Sequence, residues 1–135
     1  MNPNMMKTLL LVVLALPGLA FAADGTFEET VALGGPIVLD VDTGSGSIDV
    51  SAGSGGEAVI IGRIKVNKRG FFGKPADADE IVEQVIDNPP ISLSGGALRV
   101  GYFEDRSLGK KVSISYEIVV PADTEVVADT GSGSI

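Results

Sequence analysis

The chain has 135 residues, a net charge of −8, and no histidine, cysteine or tryptophan. Its length suits one domain, and its acidic balance argues against nucleic acid as a partner, because nucleic-acid binding needs clustered Lys and Arg. Without cysteine the fold must depend on its apolar core, and without histidine the commonest general base and metal ligand is missing.

Residues 1–22 have the pattern of a secretory signal peptide. Lys7 supplies a positive start, Leu9–Leu16 is an uninterrupted apolar segment, and Ala20–Ala22 matches the small-x-small pattern of a cleavage site. The apolar segment is too short to span a bilayer comfortably. We therefore predict cleavage after Ala22 and export of a single β-rich domain, residues 23–135, to the periplasm, the cell surface or the medium.

After residue 23 the hydrophobic pattern is mostly period two, which is typical of half-buried strands. Gly- and Pro-rich turns separate the apolar runs, so that each run is one short strand. Strands are predicted at Phe27–Leu33, Ile37–Asp42, Ser47–Ser51, Ala58–Val66, Ile91–Leu93, Ala97–Phe103, Val112–Val120 and Glu125–Ala128.

One segment, Asp77–Asp87, has helical periodicity instead. Its apolar residues form a single stripe, which consists of Ile81, Val82, Val85 and Ile86. Asp77 with Glu80 three residues later predicts a variant of the capping box, and Asn88 and the prolines after it end the helix. The predicted fold class is therefore all-β with one short helix.

A seven-residue sequence, Asp-Thr-Gly-Ser-Gly-Ser-Ile, occurs twice, at Asp42–Ile48 and at Asp129–Ile135. Each copy follows a predicted strand, so its residues mark a corner; the defining positions are Asp42, Gly44, Gly46 and Ile48, and Asp129, Gly131, Gly133 and Ile135. A strand that recurs with its corner is typical of stacked coils. We therefore predict a truncated β-solenoid or β-roll, with a small β-sandwich as the alternative.

The second copy ends the sequence at Ile135. The first copy, in contrast, continues from the equivalent Ile48 into a predicted strand. We therefore expect a domain that is incomplete at its C-terminus. An unpaired strand edge there favours self-association.

Two segments resemble one known family. Val41–Val50 is similar to the opening of a bacterial adhesin-like domain family of unknown function, and Ile114–Ile135 is similar to a later part of it. The resemblance runs in order over about Val31–Ile135 and implies the N-terminal part of a β-solenoid that continues with further Ser-Gly-rich coils. The implied function is non-enzymatic: an exported cell-envelope scaffold or a surface-interaction domain.

The two Asp-Thr-Gly triplets also resemble the catalytic loops of aspartic proteases, in which two carboxylates share one proton. Asp42 and Asp129 would form that pair, and Ile60–Arg63 is similar to the apolar-apolar-Gly-Arg element of retroviral-type proteases. However, Asp40 stands where an apolar residue is expected, and the Gly-Arg element follows Asp42 too closely for an intervening lobe. We predict no catalytic residue and keep an aspartic-type protease as an alternative.

A small periplasmic ligand- or metal-binding module is the other alternative. Asp40 and Asp42 have the spacing that begins a calcium loop, and Asp49 is a third carboxylate close in sequence. Gly44 stands where such a loop needs Asp or Asn, and Ser51 stands where it needs Glu. We therefore predict no metal site and no cofactor.

The segment Asn67–Pro75 is a candidate interaction loop because it combines cations with aromatic rings; these residues are Lys68, Arg69, Phe71, Phe72 and Lys74. Adjacent Phe rings between glycines and cations suit contact with a protein, an envelope component or the membrane surface. Alternatively, the rings pack under the predicted helix Asp77–Asp87. We expect the two Phe side chains to contribute more to stability than to binding.

Overall fold

The computed structural model describes residues 23–68, 73 and 75–135. The signal peptide predicted at residues 1–22 and the loop residues Arg69, Phe71, Phe72 and Lys74 lie outside the described residues. The elements within the described ranges are β1 Gly25–Ala32, β2 Val38–Thr43, β3 Ile48–Gly53, β4 Glu57–Val66, α1 Ala78–Asp87, β5 Ile91–Ser94, β6 Ala97–Val100, α2 Arg106–Gly109, β7 Val112–Pro121 and β8 Glu125–Thr130.

The strands form two four-stranded mixed sheets. The first has the order β1-β4-β7-β3, in which β4 is antiparallel to β1 and β7 while β3 is parallel to β7. The second has the order β5-β6-β2-β8, in which β5 is antiparallel to β6 while β2 is parallel to β6 and β8. The prediction of a mostly β protein is confirmed, and the sheets do not close into a barrel.

Both sheets contribute one face to a single apolar core, as the period-two pattern requires. The innermost side chains of the core are Ile60 and Ile64 of β4, Tyr116 and Ile118 of β7, Leu39 and Val41 of β2, and Leu98 and Val100 of β6. Burying one such side chain contributes roughly 1.5–3 kcal/mol. This core therefore stabilises a domain that has no cysteine to cross-link it.

Helix α1 covers part of the first sheet, and its buried residues are Ile81, Val82 and Val85. The predicted capping box is wrong, because the Asp77 side chain makes no capping hydrogen bond; instead the Asp77 carbonyl accepts from the Ile81 amide at 3.0 Å. Ile86 is 38% exposed, so the buried stripe is narrower than predicted.

The prediction of a single helix is also wrong, because α2 is a second one. Its first turn is capped by Asp105, which accepts hydrogen bonds from the amides of Ser107 and Leu108 at 3.0 and 3.3 Å. One short turn has too few residues to show helical periodicity. The strand predicted at Ala97–Phe103 is correspondingly too long, since β6 ends before Gly101, where φ is +97°.

Candidate functional site

The strands that lead into the two repeat copies lie side by side. β2 pairs in parallel with β8, and this register places Asp42 opposite Asp129 and Thr43 opposite Thr130. Because identical residues face each other, the second copy is related to the first by a translation across the sheet, by about one strand spacing of 4.7–4.9 Å. The structure thus brings the predicted repeat residues together, although they are far apart in the sequence.

The corners stay in register beyond the strands. The Gly46 amide donates to the Ser132 carbonyl at 3.2 Å, and the Ile48 amide donates to the Ser134 carbonyl at 2.9 Å. The second corner therefore accepts hydrogen bonds from the first along its length. Backbone pairing that continues around a corner satisfies polar groups that a loose turn would leave to water.

The threonines of the two copies make equivalent hydrogen bonds. Thr43 Oγ1 donates to the Ile114 carbonyl at 2.8 Å, and Thr130 Oγ1 donates to the Gly46 carbonyl at 3.0 Å. Each hydroxyl thus donates to a carbonyl of the adjacent layer of backbone. We call each such layer a level. We call this arrangement of two copies and the β7 backbone below them the repeat stack.

Gly46 and Gly133 have the same backbone conformation, with φ of 151° at both positions. A Cβ atom on Gly46 would collide with the Ile114 carbonyl, and a Cβ atom on Gly133 would collide with the Gly46 carbonyl. Close approach of one backbone level to the next therefore requires glycine at these two positions.

The outer side of the second copy is open. β8 is an edge strand, and its only partner within the described ranges is β2. Val126 lies opposite Leu39 in the register, yet Val126 is 43% exposed whereas Leu39 is fully buried. Ile135 is 69% exposed. The repeat stack thus ends in an unpaired edge with apolar side chains beside it.

The outward face of the second sheet carries a row of carboxylates. Asp40 accepts a hydrogen bond from Tyr102 Oη at 2.8 Å and lies 3.7 Å from Arg99 Nε. Asp42 forms no ion pair with any residue that the structure describes; burial, then the charges of Asp129 and Asp40, raise the pKa of its carboxyl group. Like charges directly opposite each other destabilise a pair of strands modestly.

The protease alternative requires two Asp-Thr-Gly loops that face each other across a two-fold axis. Here Asp42 and Asp129 are neighbours on one sheet, related by translation. The segment Ile60–Arg63 lies within the core strand β4, where the Phe27 ring packs over Gly62 and occupies the space of a Cβ atom. Ile60 and Gly62 therefore have packing roles in this fold, and Arg63 forms an ion pair with Glu117 at 3.1 Å.

The metal-binding alternative requires several carboxylates around one point. Asp40 and Asp42 lie on β2 of the second sheet, whereas Asp49 lies on β3 of the first sheet. Among the described residues no group of three or more His, Cys, Asp or Glu is arranged to hold a metal ion.

The predicted interaction loop is described only in part. Asn67, Lys68 and Pro75 line a cleft of about 150 Å³ together with Lys110 and Lys111. Sequence reasoning missed the last two residues, because they precede β7, whereas Lys68 follows β4. The signal that could have indicated them is a pair of adjacent cations just before a strand in an otherwise acidic chain.

No family model, no curated protein and no solved structure matches this chain. The resemblance to the adhesin-like family therefore stays a prediction. None of the helices in the described part of the chain is long and apolar enough to cross a membrane.

Proposed function

We propose that the protein is an exported, non-enzymatic scaffold or surface-interaction domain of the cell envelope, built as the leading coils of a β-solenoid. The observation that carries the proposal is the in-register stacking of two identical corners, joined by backbone hydrogen bonds and repeated threonine contacts. A solenoid is a series of such levels, each of which contacts only its neighbours.

The stack supports an extendable structure because its two levels are equivalent. The first copy presents the amides of Gly46 and Ile48 to the second copy. The second copy has the same sequence and the same φ of 151° at Gly133, and the amides of Gly133 and Ile135 donate to no acceptor among the described residues. A further level of the same kind would therefore find the same partners, and the same edge is where copies of the chain would self-associate.

A role in surface interaction fits the exterior of the stack. Solenoids bind through extended faces of outward side chains, and here the outward row of Asp40, Asp42 and Asp129 offers such a polar face. The signal-peptide pattern at residues 1–22 supports export, and the resemblance to adhesin-like domains supports an envelope location.

The test is to append, after Ile135, a copy of the strand that follows the first repeat copy. A chain extended after Ile135 by a copy of Asp49–Gly53 should gain one inward Val and a row of backbone hydrogen bonds. We expect the free energy of unfolding in urea to rise by about 2–3 kcal/mol, mainly from burial of that Val and of Ile135.

The matched control carries Asp in place of the appended Val, which keeps the length and removes the apolar side chain. An extended chain that is no more stable than this control would contradict the solenoid and favour a closed sandwich. Cleavage of peptide substrates at acid pH that is lost in Asp42→Asn would overturn the non-enzymatic part of the proposal.

A further inference from the structure

The cleft between the end of β4 and the start of β7 is built from two remote segments that are tied together. The Asn67 amide donates to the Lys111 carbonyl at 2.8 Å, and Asn67 Nδ2 donates to the Lys110 carbonyl at 3.0 Å. Ser113 Oγ then donates to Asn67 Oδ1 at 2.9 Å. Asn67 thus uses its backbone and both ends of its side chain to hold the cleft in shape.

This frame brings together three lysines, which are Lys68, Lys110 and Lys111. None of them forms an ion pair with a residue that the structure describes. Asp105, whose pKa is lowered first by hydrogen bonding and last by Lys111, is engaged in capping α2 with the amides of Ser107 and Leu108. The fold therefore gathers three positive side chains at one cleft, and no carboxylate of the described residues forms an ion pair with them.

A purely structural role explains only part of this arrangement. Cations after a helix C-terminus interact favourably with its carbonyls, and Lys110 and Lys111 follow α2. However, α2 is a single short turn, and Lys68 comes from the end of a strand in the other segment. The convergence of all three lysines on one cleft needs another reason.

We infer that this lysine cleft binds a phosphate group of an anionic ligand. A phosphate offers several strong acceptor oxygens and up to two negative charges, which suits three flexible ammonium groups better than one carboxylate would. The acidic remainder of the chain repels anions, so binding must depend on these local cations rather than on net charge. The inference does not rest on the proposed stacking function.

Phosphate chemistry has two possible sources here, a soluble phosphorylated compound and a lipid headgroup. The first experimental arm titrates the protein with inorganic phosphate in calorimetry at low ionic strength. The second measures cosedimentation with vesicles of phosphatidylglycerol in phosphatidylcholine, against vesicles of phosphatidylcholine alone. Saturable binding in the first arm identifies a soluble source, and binding to anionic vesicles alone identifies a headgroup; either result supports the inference.

The test variant replaces the cleft lysines: Lys68→Gln, Lys110→Gln and Lys111→Gln together. The matched control removes the same number of charges elsewhere: Arg63→Gln, Arg99→Gln and Arg106→Gln. We expect the cleft variant to bind about tenfold or more weakly, and the control to stay within about threefold of the native chain, because only the cleft lysines contact the phosphate. A single Lys68→Gln variant, at an exposed position, covers the case in which the triple variant does not fold.

Three results would overturn the inference. The first is that the native chain binds neither inorganic phosphate nor anionic vesicles. The second is that the two triple variants lose affinity equally, which would show a dependence on net charge alone. The third is that Lys68→Gln leaves binding unchanged in a folded chain.

Discussion

The two copies of the repeat have identical sequences and different surroundings. Ile48 of the first copy is 2% exposed, and the equivalent Ile135 of the second copy is 69% exposed. Thr43 is buried, whereas Thr130 is only half-buried. The difference arises because, among the described residues, the first copy has a backbone level on each side and the second copy has one on a single side. The contribution of a residue in the stack to stability therefore depends on the levels that pack against it, not on the local sequence alone.

The same contrast holds for the backbone. The amides of Gly46 and Ile48 are bonded to carbonyls of the second copy. The equivalent amides of Gly133 and Ile135 find no acceptor among the described residues. Exposed backbone groups with few apolar contacts mark the parts of a protein that open first. We therefore expect the second copy to separate from the first before the core unfolds.

The largest difference is expected between Gly46→Ala and Gly133→Ala. A methyl group at Gly46 collides with a backbone carbonyl beneath it while the second copy holds it from above, so we expect a loss of about 3–5 kcal/mol. Gly133 meets an equivalent carbonyl but can move outward, so its substitution should cost less, about 1–3 kcal/mol, mainly from the strain of a side chain at positive φ. Urea unfolding of both variants measures this, and equal losses would mean that the two levels are equally constrained.

The second comparison is Ile48→Ala against Ile135→Ala. Removing the buried side chain of Ile48 leaves a cavity and should cost about 2–4 kcal/mol. Ile135 is mostly in solvent, so its substitution should change stability by no more than about 0.5 kcal/mol. Thermal and urea midpoints give both values, and a large loss for Ile135→Ala would show that something covers the outer side of the stack.

The third comparison is Thr43→Val against Thr130→Val, which keeps the side-chain shape and removes the hydroxyl donor. Thr43→Val leaves the Ile114 carbonyl without its hydroxyl partner at a buried site, so the expected loss is about 1–3 kcal/mol. Thr130 is half-buried, and water can replace its bond to the Gly46 carbonyl; the expected loss is below about 1 kcal/mol. A larger loss of stability for Thr130→Val than for Thr43→Val would contradict the assignment of the second copy as the outer level.

The smallest effect concerns pH. The folded chain raises the pKa of Asp42 above its unfolded value, so the native state binds the proton more tightly than the unfolded chain does. This group therefore destabilises the fold at neutral pH, and the penalty disappears as the pH falls through the raised pKa. Asp42→Asn should gain about a few tenths of a kcal/mol at pH 7, a small value because the group is partly exposed.

The gain from Asp42→Asn should shrink toward zero in acid, measured as the difference from the native chain at each pH. Both chains contain Asp105, so its effect on stability cancels in this difference. The pKa of Asp105 is lowered in the folded state, so this group stabilises the fold at neutral pH and loses that contribution as the pH falls. A gain that is constant with pH would mean that the charge of Asp42 is not its source.

The sequence predicted those elements that depend on local pattern. Period-two alternation located the strands, and a continuous apolar stripe located α1, since both periodicities extend over many residues. It missed α2, which is one turn capped by Asp105, because so short a segment has no period. The identical copies also indicated two equivalent corners. Their direct contact could be anticipated only from the repeat, because pairing between remote strands has no local signal.

The lysine cleft could not be predicted from local pattern for the same reason. Lys68 was recognised as part of a basic segment, but Lys110 and Lys111 join it only through the pairing of β4 with β7. The side chain of Asn67, which ties the two segments together, gives no signal in the sequence.

Amide hydrogen exchange of the native chain, resolved by residue, tests the repeat stack most directly. The stack predicts slower exchange at the amides of Gly46 and Ile48, which donate to the second copy, than at the equivalent amides of Gly133 and Ile135, although the local sequences are identical. Fast exchange at Gly46 and Ile48, or equal protection at both pairs of positions, would contradict it.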